Sequence, residues 1–159
     1  GGADAVIAIG EASLRRRLAG IAAGLGFACP ALVDPATIAG SSVHFAAGSI
    51  VLPGVCCTVD VQVGPHALLN PGVTLAHDVR VGAFASLSPG VHVAGNVTIG
   101  DETFIGIGAS VINGVPDRPL LVGAGAMVAA GAIVTRDVPP GQRVAGVPAR
   151  PLPSKERMP

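Results

Sequence analysis

From Phe45 onward, every sixth residue is apolar. Phe45, Val51, Cys57, Val63, Leu69, Leu75, Val81, Leu87, Val93, Ile99, Ile105 and Val111 make an unbroken series of twelve. A second series follows each of these by four residues: Ser49, Val55, Val61, Ala67, Val73, Val79, Ala85, Val91, Val97, Thr103, Ala109 and Val115, all small or β-branched. A strict six-residue period implies a β-solenoid. Each hexad supplies a short strand and a turn, and three hexads close a triangular coil of eighteen residues. Stacked coils then build parallel sheets about 4.8 Å apart. Near "VPDRP" the phase slips, reading as a one-residue deletion, and it resumes at Val122, Val128 and Val134.

Residues 1–34 read differently. "DAVIAIG" has the apolar run of a buried strand, and "EASLRRRLAGIAAGLG" has helical spacing, with Leu14, Leu18 and Ile21 on one stripe. "PALVDP" returns as a short strand. The expected organisation is therefore a partial, nucleotide-binding-like α/β segment over 1–34, a β-helix over 35–138 and a C-terminal tail over 139–159. The first and last of these would cover the open ends of the solenoid, where unpaired strand edges would otherwise be exposed. The sequence opens without an initiator Met, as a fragment of a longer protein would.

Composition agrees with many short strands and tight turns. Of 159 residues, 23 are Gly and 14 Pro, aromatics are only 3%, and there is no Trp or Tyr. A narrow solenoid core has no room for large rings. The formal net charge is zero, so bulk charge does not point to nucleic acid or an acidic membrane surface. Glycines and prolines interrupt every apolar run, so no membrane span is expected. Cys29, Cys56 and Cys57 show no metal-ligand spacing, and the plain expectation is free thiols in a reducing, cytoplasmic setting. Cys57 shares the inward position of Val51 and Val63. Arg136, Arg143, Arg150, Lys155 and Arg157 place five of the ten basic residues in the last 24 positions, a rim suited to a phosphorylated ligand.

The candidate chemistry lies in "TLAHDVRVG", residues 74–82. An eighteen-residue coil stacks His77 between Val59 and Gly95, and Asp78 between Asp60 and Asn96. A base thus lies one coil from a glycine amide, the relation that acyl transfer needs between a proton acceptor and a donor for the developing oxyanion. His44, His66 and His92 read as solvated surface histidines.

The stretch "NPGVTLAHDVRVGAFASLSPGVHVAGNVTIGDETFIGIGASV", followed by "VGAGAMVAAGAIVTRDVPPGQRVAGVPAR", resembles the bacterial hexapeptide-repeat sugar O- and N-acetyltransferases of the NeuD/PglD type. The resemblance runs from residue 1 to about 152. It implies a left-handed parallel β-helix, a homotrimer with active sites in clefts between prisms, acetyl-CoA as co-substrate without a metal, and a sugar or nucleotide-sugar acceptor. It also implies the roles of individual residues. His77 would be the general base, Asp78 the carboxylate that raises its basicity, and Gly95 the N–H donor to the thioester oxygen. Asn70 would lie near the acceptor. Ser86, Ile107, the loop Gly123–Ala124–Gly125, and Gly146, Pro148 and Ala149 would line the acetyl-CoA site. Two departures stand out. Ser86 replaces a second His that the family often carries, and the Gly-rich G-x-G-G-H-G opening of the family is missing.

Two other readings fit a solenoid. A γ-carbonic-anhydrase-like zinc enzyme needs three histidines across a subunit boundary, commonly with a close pair, which His44, His66, His77 and His92 do not provide. A non-catalytic trimeric scaffold would fit the two departures.

Overall fold

The computed structural model describes residues 3–153. A triangular prism rises from Leu32 with three parallel sheets as its faces. The eight-stranded face climbs through Leu32–Val33, Ile50–Val51, Leu68–Leu69, Ser86–Leu87, Phe104–Ile105, Met127–Val128 and Arg143–Ala145, and ends on the antiparallel strand Arg150–Pro151. The six-stranded face climbs through Ile38–Ala39, Cys56–Cys57, Thr74–Leu75, His92–Val93, Ser110–Val111 and Ile133–Val134. The five-stranded face runs from His44–Phe45 through Gln62–Val63, Arg80–Val81 and Val97–Ile99 to Leu120–Val122. Registers such as Ser86↔Leu68, His92↔Thr74 and Gln62↔Arg80 are the eighteen-residue repeat made physical.

Both apolar series point inward, as the period requires. Val55, Val61, Leu69, Leu75, Leu87 and Ile105 are fully buried in one continuous core. At about 25 cal/mol per Å² of apolar surface, this column is the main stabilising term. Most corners of the middle coils hold a left-handed residue. One corner uses glycine throughout, at Gly54, Gly72, Gly90, Gly108 and Gly131. The corner between the six- and five-stranded faces uses Asp60, Asp78 and Asn96 instead, the residue types that best tolerate this region without being glycine. The third corner carries Phe84 at φ 58°, a bulky residue that rarely adopts it. Phe84 is held there by stacking on His66, ring centroids 5.0 Å apart, and by Arg16 above its ring.

Several sequence expectations need correction. The phase slip is a five-residue insertion, not a one-residue deletion. Val97 pairs with Leu120 and Ile105 with Val128, a spacing of 23 residues where the coils below have 18. The two alternatives differ by one hexad and leave the same phase, so periodicity could not separate them. Within the insertion, Val115 is exposed rather than inward. "DAVIAIG" is not a buried strand. Only an isolated bridge, Asp4↔Ala28, forms there, and Val6 stays half exposed. Leu32–Val33 belongs to the eight-stranded face of the solenoid rather than to an α/β unit.

Helix α1, Ala12–Gly24, is present, with the Glu11 side chain capping Ser13 N and Leu14 N at 2.9 Å. It does not bury the Leu14–Leu18–Ile21 stripe. Its buried residues are Arg15, Ala19 and Ala22. Arg15 is 1% exposed. Its guanidinium donates to the carbonyls of His66 (2.9 Å), Ile9 (2.6 Å), Gly10 (3.0 Å) and Phe84 (2.6 Å), and to Ser86 Oγ (2.9 Å). A saturated buried guanidinium, not an apolar stripe, fastens the helix to the prism. His66 is accordingly not a solvated surface histidine. It is half-buried under this docking site, and its Nδ1 is buried without a hydrogen-bond partner.

Candidate active site

Asp78 occupies the left-handed corner position for a backbone reason, and the same placement sets its carboxylate beside His77. His77 Nδ1 lies 2.9 Å from Asp78 Oδ2. A carboxylate only accepts, so Nδ1 carries the hydrogen and Nε2 is left as the free lone pair. Both side chains are 54% exposed, which leaves the imidazole accessible to a ligand. The expected stacking is present: Asp78 N–H donates to Val59 O (3.1 Å) and Asn96 N–H to His77 O (3.0 Å).

Gly95 sits directly over the imidazole. A Cβ built on Gly95 would run into His77 Nε2 and Cε1, so glycine is required there by the ring, not by its own dihedral. The neighbouring N–H groups are used, Ala94 to Val111 O and Asn96 to His77 O, both at 3.0 Å. The Gly95 N–H has no acceptor among the described residues. Corner positions in other coils share this freedom, and what distinguishes Gly95 is the histidine beneath it.

The remaining expected site residues lie elsewhere on the prism. Asn70 donates through Nδ2 to Leu87 O (2.8 Å) at the corner between the eight- and six-stranded faces. Ile107, 59% exposed, lies at that same corner two coils higher. Ser86 is buried on the eight-stranded face, where its hydroxyl receives Arg15 and faces Gly10 O at 3.3 Å. With Gly125, Phe104, Met127 and the start of α1 it lines a cleft of about 380 Å³. Gly123–Ala124–Gly125 turns the corner from the five- to the eight-stranded face, with Ala124 O accepting from Gly141 N–H. Gly146 and Ala149 cap the six-stranded face: Ile133 N–H donates to Gly146 O (3.0 Å) and Ala149 N–H to Ile133 O (2.7 Å), with Pro148 exposed in the turn between them. One chain thus unites His77, Asp78 and Gly95, brings Ser86 and Gly125 to one cleft, and does not gather all the residues at one point. Of the basic tail, Lys155 and Arg157 lie outside the described residues.

Sequence reading missed three features. Thr74 Oγ1 and His92 Nδ1 are 2.8 Å apart on the six-stranded face, in a groove of about 470 Å³ that also takes in Ala76, Ala94, Ser110 and Asn113. The eighteen-residue offset between residues 74 and 92 could have revealed that pair. Arg15 gave no signal, because a buried arginine on a helix looks like any exposed one. The insertion at 113–119 was hidden by the hexad ambiguity. Cys29, Cys56 and Cys57 are free thiols, and burial pushes Cys57 up to about 12. Among the described residues no group of three His, Cys, Asp or Glu side chains could hold a metal ion. No helix among them is long and apolar enough to cross a membrane.

No protein-family model matches the chain. A stretch of 50 residues is 54% identical to the 2,3,4,5-tetrahydropyridine-2,6-dicarboxylate N-acetyltransferase of Staphylococcus aureus, covering 31% of this chain and only 19% of that enzyme. Solved structures match far more of it. A mutant perosamine N-acetyltransferase from Caulobacter crescentus, in complex with CoA and GDP-perosamine, is 34% identical with a TM-score of 0.91, covering 96% of this chain and 70% of that one. The acetyltransferase domain of PglB from Neisseria gonorrhoeae, in complex with acetyl coenzyme A, is 35% identical with a TM-score of 0.87, covering 94% and 70%.

Proposed function

The chain belongs to the hexapeptide-repeat sugar acetyltransferases of left-handed β-helix fold, and from that premise we propose that it transfers an acetyl group from acetyl-CoA to an amino or hydroxyl group of a nucleotide-linked sugar, with His77 as general base. The observation that carries the reading is the His77–Asp78 hydrogen bond of 2.9 Å beneath the unoccupied Gly95 N–H. Nε2 of neutral His77 takes the proton from the acceptor as it attacks the thioester carbonyl. Asp78 holds the tautomer and stabilises the imidazolium that forms. The Gly95 N–H faces the oxygen on which charge develops, and such a donor typically contributes about 3–4 kcal/mol. His77 then returns the proton to the leaving thiolate.

The dispersal of the other residues over different corners supports a homotrimer whose sites are shared between prisms. In such an assembly the corner bearing His77 would meet, on the next copy, the surface carrying Ile107, Ser86 and Gly123–Gly125. Asn70 would lie near the acceptor, and Gly146–Ala149 near the far end of acetyl-CoA. A cytoplasmic setting suits an enzyme that uses acetyl-CoA and carries three free thiols.

The test is His77→Ala. Turnover should fall by roughly 10²–10⁴-fold, the usual contribution of a general base, while acetyl-CoA affinity measured by calorimetry barely changes. Near-normal turnover would end this mechanism.

A further inference from the structure

The loop 113–119, which contains the five extra residues, borders an open cleft of about 470 Å³ that the mechanism above does not use. Its geometry is anchored to the catalytic corner. Gly114 N–H donates to Gly95 O (3.0 Å) and Leu120 N–H to Asn96 O (3.0 Å), so the loop hangs from the very residues that face His77. The Val115↔Arg118 bridge closes it through paired backbone hydrogen bonds of 3.1 and 2.9 Å. Asn113, Arg118, Leu120, Arg136 and Asp137 line the cavity. Asn113 also lines the groove of His92 and Ser110, so the two depressions adjoin.

Charge in the cavity is unbalanced. Arg118 and Arg136 both line it, and neither has a carboxylate partner within ion-pair distance among the described residues. Asp137 is the one lining carboxylate, and its Oδ1 is already engaged by Leu121 N–H at 2.9 Å. Asp117 lies in the loop but does not line the cavity. Arg118 and Arg136 are both exposed where they line this one concave site, and two guanidinium forks offered to one ligand match the oxygens of a phosphate chain better than a single carboxylate. An insertion that only lengthened a surface turn would need no such pair.

We infer that the cavity under the 113–119 loop is a diphosphate site, in which Arg118 and Arg136 hold the phosphorylated end of a substrate whose reacting end lies at His77 and Gly95. The inference rests on the acetyl-transfer reading for its reaction, but not for its ligand chemistry. With a rise of about 4.8 Å per coil, Arg136 stands roughly two coils above Gly95, so the anion is held away from the reacting atoms. Both proposed substrates carry a diphosphate, acetyl-CoA in its nucleotide arm and the acceptor in its nucleotide link.

Calorimetry with inorganic pyrophosphate tests the site directly. The wild-type chain should bind it. Arg118→Ala/Arg136→Ala should weaken binding about tenfold or more, as loss of charge-assisted hydrogen bonds does, and Arg118→Lys should retain part of it. In steady-state assays the double alanine variant should raise one KM about tenfold with a much smaller change in kcat. A raised acetyl-CoA KM assigns the diphosphate to the coenzyme, and a raised nucleotide-sugar KM assigns it to the acceptor. Pyrophosphate binding that is absent, or unchanged in the double variant, overturns the site, as does a double variant with both KM values unmoved. A wild-type chain that binds pyrophosphate through these arginines but transfers no acetyl group overturns the proposed reaction and leaves the diphosphate site standing.

Discussion

Gly95→Ala offers a sharp test of the proposed catalytic corner, because the structure separates its effect on chemistry from its effect on folding. Gly95 does not adopt a left-handed φ, so alanine meets no backbone strain there. The three nearest obstacles all belong to the imidazole, and the new methyl would overlap His77 Nε2 and Cε1. The ring is 46% buried and not locked by a core, so it can retreat. To regain ordinary van der Waals separation it must move by about 1 Å, and a misplacement of that size can cost 10²-fold in rate. Turnover should therefore fall about 10²-fold, equivalent to about 2.7 kcal/mol of barrier, although the Gly95 N–H survives. In a His77→Ala background the three atoms nearest the methyl are gone. The double variant should be no slower than His77→Ala alone, so the coupling should nearly equal the whole effect of Gly95→Ala. Release of the CoA thiol from acetyl-CoA with a nucleotide-linked amino sugar reads the rate, and thermal melting checks that the fold is unchanged. Multiplicative losses in the double variant, or near-normal turnover of Gly95→Ala, would refute the argument.

Other consequences can be checked separately. Arg15→Ala leaves the part-buried carbonyls of Ile9, Gly10 and Phe84 without their donor, so α1 should lose about 3 kcal/mol of docking stability, seen as faster hydrogen exchange over residues 12–24 with the solenoid still protected. His66 titrates below its ordinary value, because burial and then the nearby Arg15 disfavour its charged form. The unfolded chain binds this proton more readily, so stability should be complete above about pH 6.5 and decline as pH falls from there toward the lowered folded value; urea midpoints across that range should show the slope, and His66→Asn, which tolerates φ 55°, should remove it. Cys57, 1% exposed and pushed up to about 12, should resist a thiol reagent in the native state while half-buried Cys29 and Cys56 react faster. Rapid labelling at Cys57 would contradict its inward position.

The six-residue period by itself determined the solenoid, the inward residues and the stacking of His77 between Val59 and Gly95. A repeat whose every coil buries the same two positions leaves one register that keeps Val55, Val61 and Leu69 inside, and an eighteen-residue offset then locates every side chain relative to its neighbours above and below. Where the period ceases, so does this certainty. Residues 4–10 carry an apolar run, yet they form only an isolated bridge, because in the described chain just residue 28 pairs with them. The α1 face was decided by six acceptors converging on Arg15 from Ile9, Gly10, His66, Phe84, Ala85 and Ser86, a cluster that local spacing does not encode. At "VPDRP" the break in phase was legible but its sense was not, since adding five residues and deleting one leave the same hexad phase. Only pairings across coils, such as Val97 with Leu120 and Ile105 with Val128, distinguish them, because register across coils is fixed by hydrogen bonds between distant segments and not by the pattern along one.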